Sequence, residues 1–315
     1  MTSMRADGAY GDVLRTDGAY LSACEASWRA DCFDDAHDEM TANLGLHLLQ
    51  PGGIWACSGD VFAATQLRVT SDMPAAVWNV CEPETVALGQ RLFAAAGARV
   101  SVCATAGSDA WSIQQAGCDI SQKQLAARAI RACESAGPVA ILARFDASGV
   151  PDDQLTKVAA ELFEECAWAG AHGFLATSLC CARQAQLALL AAKAANEHLA
   201  IRRPIILSFR ELPEADEVTT LLGDGAASVG LDHMDAQWLM AHPDAVSQVL
   251  GARGRFGYLE LVGLPTACQK LAREREVEDE FDQLVQTIRQ LPVALVATGA
   301  NILPAQLAAL AELWS

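Results

Sequence analysis

The residues best suited to chemistry in this chain stand singly at the ends of short apolar runs. Asp232-His233 closes the run Ser228–Leu231. Histidine titrates near neutrality, and a neighbouring carboxylate can hold its ring in one tautomer. The pair is therefore a candidate catalytic dyad, with His233 as general base and Asp232 as its partner. His233 could equally be a metal ligand together with Cys180, Cys181 or Cys103. A structural role competes with both: a loop histidine satisfied by backbone, with the cysteines as small buried hydrophobes. No C-x-x-C spacing marks a metal site, so no metal ligand is assigned.

Other polar side chains hold comparable positions. Ser58 follows Ile54–Cys57, Thr105 follows Val100–Ala104, Arg144 and Asp146 flank the end of Val139–Phe145, and Thr177-Ser178 ends Phe174–Thr177. Glu260 lies inside the apolar run Tyr258–Val262, where a carboxylate needs a partner, and Arg144 or Arg210 could supply it. Arg144 and Asp146 read as an ion pair, in a pocket or across a rim. Ser58, Thr105, Thr177, Ser178, Arg144 and Glu260 are the candidate substrate-binding residues for a small polar molecule.

Eight short β-rich runs carry these residues: the six already given, with Pro204–Phe209 and Val293–Thr298. Helical periodicity fills the intervals at Pro83–Ala96, Gln122–Ser135, Pro151–Ala169, Ala182–His198, Ala236–Leu250 and Arg273–Leu291, and Pro304–Leu313 follows the last run. Gly97, Gly170 and Gly225 each stand where a helix must end before the next strand, a place that suits a left-handed residue. Strand followed by helix, eight times over, implies parallel strands, because parallel neighbours need long crossovers. Eight regular units favour a closed (β/α)₈ TIM barrel over an open doubly wound sheet. In such a barrel the C-terminal strand ends share one face, which brings the polar residues above to one mouth.

Bulk properties agree with one α/β domain. The 315 residues are 52% hydrophobic and 19% charged, with a formal net charge of −17. That charge opposes nucleic acid and anionic membrane as partners. No apolar run approaches the roughly 20 residues of a spanning helix, and the N-terminus has no signal-like apolar stretch. Eleven scattered cysteines, an odd number with Cys180 and Cys181 adjacent, read as reduced thiols in a cytoplasmic protein. Residues 1–50 are expected to form an N-terminal extension, with Thr41–Gln50 a helix capping the bottom of a barrel spanning residues 51–315.

Several segments, in order along the chain, resemble the homocysteine S-methyltransferase family, including the homocysteine-binding barrel of cobalamin-dependent methionine synthase. Met73-Pro74-Ala75-Ala76-Val77-Trp78-Asn79 followed by Pro83-Glu84-Thr85-Val86 is similar to the family's first loop and helix. Ala95–Gly107 resembles its second unit, Ala169–Ser178 its fourth strand, and Val293–Thr298 through Leu307 its last strand and closing helix. The resemblance implies the TIM barrel and a methyl-transfer ancestry, with a corrinoid or folate methyl donor and a corrinoid protein as partner.

The family's chemistry rests on zinc held by three cysteines, which makes a substrate thiolate available at neutral pH. By this alignment His233 stands at the strand-six cysteine, in Gly230-Leu231-Asp232-His233. The two strand-eight cysteines are lost from Ala297-Thr298-Gly299-Ala300-Asn301. Ser58 replaces the aspartate of the first-strand turn, Thr177 the glutamate that receives an amino group, and Ala104 an asparagine. Family zinc and methylation of homocysteine are therefore not expected. Two function classes follow: a methyltransferase-like enzyme with altered site chemistry, or a catalytically silent barrel serving as a binding or partner subunit.

Overall fold

A computed structural model describes residues 54–65, 74–254, 257–263, 275–299 and 302–314. The expected extension over 1–50, with its capping helix, lies outside the described residues.

All eight expected strands are present. They are β1 (Trp55–Ala56), β2 (Val100–Val102), β3 (Ala140–Asp146), β4 (Gly173–Leu179), β5 (Ile205–Phe209), β6 (Ser228–Asp235), β7 (Gly257–Gly263) and β8 (Val293–Thr298). Every pairing is parallel, in the order β1-β8-β7-β6-β5-β4-β3-β2. The two ends of that row meet through a single parallel bridge, Cys57 to Val100, so the ring is nearly closed. Helices α1 (Pro83–Ala95), α2 (Gln122–Glu134), α3 (Asp152–Trp168), α4 (Ala182–Leu199), α5 (Ala215–Gly223), α6 (Pro243–Leu250), α7 (Arg275–Gln290) and α8 (Pro304–Trp314) follow β1 to β8 in turn.

Local chemistry explains the boundaries. Ser121 and Gln124 cap α2 reciprocally, and Glu214 and Glu217 do the same for α5. The helix expected over Ala236–Leu250 is two pieces, Ala236–Ala241 and α6. Pro243 disfavours a helical conformation at His242, whose φ of −131° and ψ of 42° break the run. Helix α5 was not foreseen, because its buried stripe reduces to Val218 and Leu221.

Two cores result. One lies between the sheet and the helices, where Phe163 stacks on Phe174 at 4.5 Å and meets Phe145 edge-on at 6.1 Å. The other joins Val102, Leu142, Leu175, Ile206, Tyr258 and Leu295, from six different strands. Residues so far apart along the sheet can meet only inside a barrel. By strand alternation, Arg144, Thr177, Ser208, Asp232 and Glu260 point into the same interior, one layer nearer the C-terminal ends.

Candidate functional site

That upper layer is polar and almost sealed. Glu260 on β7 is 2% exposed. Its carboxylate meets the Arg144 guanidinium on β3 at 3.3 Å and accepts the Tyr258 hydroxyl at 3.0 Å. Arg144 also donates from Nε to the Thr177 hydroxyl at 3.1 Å, and Thr177 donates onward to the Phe145 carbonyl at 3.3 Å. Burial alone would lower the Arg144 pKa, but the charges of Glu260, Tyr258, Asp146 and Asp232 raise it above its usual value, so the guanidinium stays charged. Burial, and then the charge of Glu260, pushes the Tyr258 phenol and the Cys57 thiol well up, which keeps both neutral.

The sequence offered Glu260 two arginines, and the structure selects Arg144. Arg210 is exposed. The Arg144–Asp146 ion pair is corrected: Asp146 instead accepts the Ser148 backbone N–H at 2.9 Å, while Arg144 turns inward to Glu260.

Asp232 and His233 form a second group on β6. Asp232 is fully buried, and its two oxygens have different tasks. Oδ2 accepts the Ser178 N–H at 2.7 Å, and Oδ1 lies 3.0 Å from His233 Nδ1. The His233 side chain is 36% exposed, and its Nε2 has no hydrogen-bond partner among the described residues. Its hydrogen bond to Asp232, opposed by partial burial and assisted by the charge of Glu260, holds the imidazole pKa above the ordinary 6.5.

Backbone irregularities aim this pair. Ser178 and His233 adopt left-handed φ angles of 59° and 58° without being glycine. Each sits at a register shift, between Ala176 and Leu179 in β4 and between Leu231 and Met234 in β6. Left-handed conformations at non-glycine residues cost about 1 kcal/mol or more and persist where surrounding contacts enforce them. Here the carboxylate of Asp232 ties one irregularity to the other.

Ser58 and Thr105 are placed differently. The Ser58 hydroxyl accepts the Val102 N–H at 2.8 Å, and that of Thr105 accepts the Arg144 N–H at 2.9 Å and donates to the Arg144 carbonyl at 2.6 Å. Both extend the strand pairing where β1 and β2, of two and three residues, run out. Ser208 was not singled out from the sequence, since a serine inside Pro204–Phe209 carries no distinguishing pattern. Its hydroxyl and that of Ser178 are buried with no partner among the described residues.

Cys180 and Cys181 are exposed, and the Cys103 sulfur lies 3.2 Å from that of Cys133, a residue of α2. Among the described residues no three His, Cys, Asp or Glu side chains converge to hold a metal ion. Gly299, at one lost cysteine position, has no room for a side chain: a Cβ there would lie 2.8 Å from Glu260 Oε1 and 2.6 Å from Val262 Cγ1. Ala300 lies outside the described residues. The residues present thus do not fit a three-cysteine zinc site.

No family model matches this chain, and no curated protein matches it in sequence. Solved structures do. The oxidized form of the homocysteine methyltransferase MmuM from Escherichia coli is 15% identical, with a TM-score of 0.68 over 85% of this chain and 99% of that one. The metallated form of the same protein gives 14% identity and a TM-score of 0.66, over 83% of this chain and 96% of that one. At that identity the likeness establishes the α/β barrel. Among the described residues no helix is long and apolar enough to cross a membrane.

Proposed function

We propose that this chain is a methyltransferase-like barrel that handles a small polar substrate without the family's zinc, with His233 moving a proton and Asp232 holding it. The observation that carries this reading is the Asp232–His233 pair: a buried carboxylate at 3.0 Å fixes Nδ1 and leaves Nε2 as the working atom on the partly exposed side. The collinear resemblance to homocysteine S-methyltransferases and the barrel shared with MmuM support the ancestry. With Gly299 and Thr177 where a metal thiolate and an acidic amine receptor would stand, methyl transfer to homocysteine has lost its activator. Thr177 spends its hydroxyl on Arg144 and Phe145, whereas Ser178 and Ser208 keep hydroxyls for a ligand. A cytoplasmic setting and a corrinoid protein as donor partner belong to the same reading.

The test supplies S-methylmethionine, methyltetrahydrofolate or methylcobalamin, first with homocysteine and then with a panel of small thiols, amines and hydroxy acids. The expected result is no methionine, together with methylation of another acceptor that His233→Ala abolishes and Asp232→Asn reduces at least tenfold. Methionine formation, or turnover indifferent to His233→Ala, overturns the proposal.

A second reading has its own observation. Arg144 spans the barrel interior with partners at both ends, as a structural plug would, and a silent binding barrel would need no more. Absence of turnover with every donor and acceptor would favour it.

A further inference from the structure

Beside the mouth lies a groove of about 650 Å³, formed where the loops after β1, β2 and β3 meet. A volume in this range suits a small organic molecule. Trp111 and Gln115 line one side, from the short helical segment Ala110–Gln115, and Ser148 and Gly149 line the other. The walls are tied together: the Trp111 indole N–H donates to the Gly149 carbonyl at 3.2 Å. Asp109, fully buried, accepts both the backbone N–H and the hydroxyl of Ser112 at 2.8 Å, which fixes the turn that carries Trp111. With its N–H committed, the indole offers a ligand its aromatic surface.

Among the described residues lining the groove, Asp146 is the single ionisable one. One of its oxygens takes the Ser148 N–H, and Oδ2 has no hydrogen-bond donor among the described residues. Two residues earlier, Arg144 is directed inward to Glu260 and Thr177, so its charge is already engaged. Among the described residues, the carboxylates of Asp146, Asp232 and Glu260 all act on the one guanidinium of Arg144. At the groove itself, an aromatic surface beside an unfilled carboxylate is the arrangement that attracts an organic cation.

We propose that the groove between Trp111 and Asp146 binds an organic ammonium group, the nitrogen lying against the indole and within reach of the Asp146 carboxylate. The inference names the cationic part of the substrate or co-substrate and rests on the mouth being the functional face, while making no use of the chemistry assigned to His233.

Choline and its neutral carbon isostere, 3,3-dimethylbutan-1-ol, discriminate charge at constant shape. Titrated into the full-length protein by calorimetry and by NMR, choline should bind at least tenfold more tightly than the alcohol. Trp111→Leu and Asp146→Asn should each weaken choline about five- to tenfold, while His233→Ala leaves it unchanged; circular dichroism checks that each variant is folded. Equal affinity for the two probes, no choline binding at 20 mM (a roughly millimolar ceiling for such contacts), or choline binding indifferent to Asp146→Asn overturns the proposal. Turnover that His233→Ala abolishes, without choline binding, fails this inference alone; choline binding with turnover indifferent to His233→Ala fails the proposed reaction alone.

Discussion

Arg144 and Glu260 belong to strands four places apart in a ring of eight, directly across the barrel, and meet at 3.3 Å over an apolar layer of Leu142, Leu175, Ile206 and Leu295. The pair crosses the full interior. Two facing charges whose desolvation is offset mainly by one another, by Thr177 and by Tyr258 should respond unequally to single and double substitution.

Arg144→Met should therefore destabilise the fold by about 3 kcal/mol, because it leaves Glu260 buried beside an apolar side chain. Adding Glu260→Leu to Arg144→Met should restore most of that loss. Urea denaturation of the singles and the double gives the coupling, and additive effects would show that the pair is not a unit.

Gly230→Ala should cost about 1–3 kcal/mol. A Cβ there would lie 2.8 Å from the Tyr258 carbonyl oxygen and 2.9 Å from its Cβ, so the nearest obstacles cannot swing aside. The same substitution should disturb the Tyr258–Glu260 hydrogen bond, since the ring lies against this glycine. Thermal unfolding and the near-ultraviolet circular dichroism of the tyrosine report the two effects.

The His233 imidazole should titrate above 6.5, and Asp232→Asn should bring it down, as followed by NMR of the ring protons. A raised folded-state pKa means that the protonated pair stabilises the fold fully below the unfolded value. The contribution disappears as pH rises through the folded value. Wild type should therefore exceed His233→Gln in stability most clearly between about pH 5 and 6, above the ordinary carboxylate range. The difference should shrink above pH 7; a difference that grows there would reverse the assignment.

Protein purified without added metal should contain far less than one zinc per chain, by elemental analysis. Chelator treatment should leave the unfolding midpoint unchanged. None of the three cysteines stands at the aligned positions, where His233 alone offers a ligand atom, and Gly299 has neither a donor nor space for one. Stoichiometric zinc lost together with His233→Ala would reveal a rebuilt site.

The barrel was legible because its strands are buried on both faces and so read as bounded apolar runs, with helix-ending glycines at Gly97, Gly170 and Gly225 whose φ values of 97°, 109° and 107° match their expected role. The partner of Glu260 was legible down to two arginines, since a buried carboxylate limits its neighbours. What stayed hidden depends on register. Nothing in the run Ser228–Leu231 announces that the backbone reverses at His233, or that Asp232 spends one oxygen on Ser178, 54 residues away. Strand-end position alone makes Ser58 and Thr105 candidates, and it does not show that their hydroxyls meet the backbone N–H groups of Val102 and Arg144. Trp111, the aromatic wall of the proposed cation groove, carries no strand-end signal, because it projects from a loop helix.

The side-chain stitches at Ser58 and Thr105 have a consequence for where the molecule breathes. Strands β1 and β2 are the shortest of the ring, and the groove of Trp111 and Asp146 opens above them and the end of β3. Amide hydrogens of Val102 and Arg144, bonded to hydroxyls that can rotate away, should exchange with solvent faster than amides bonded to backbone carbonyls between β3 and β4. A ligand bridging the three loops above would oppose that opening by mass action and slow exchange at both positions. Occupancy of the groove would thus be recorded in the backbone of the ring's thinnest arc, at sites the ligand never touches.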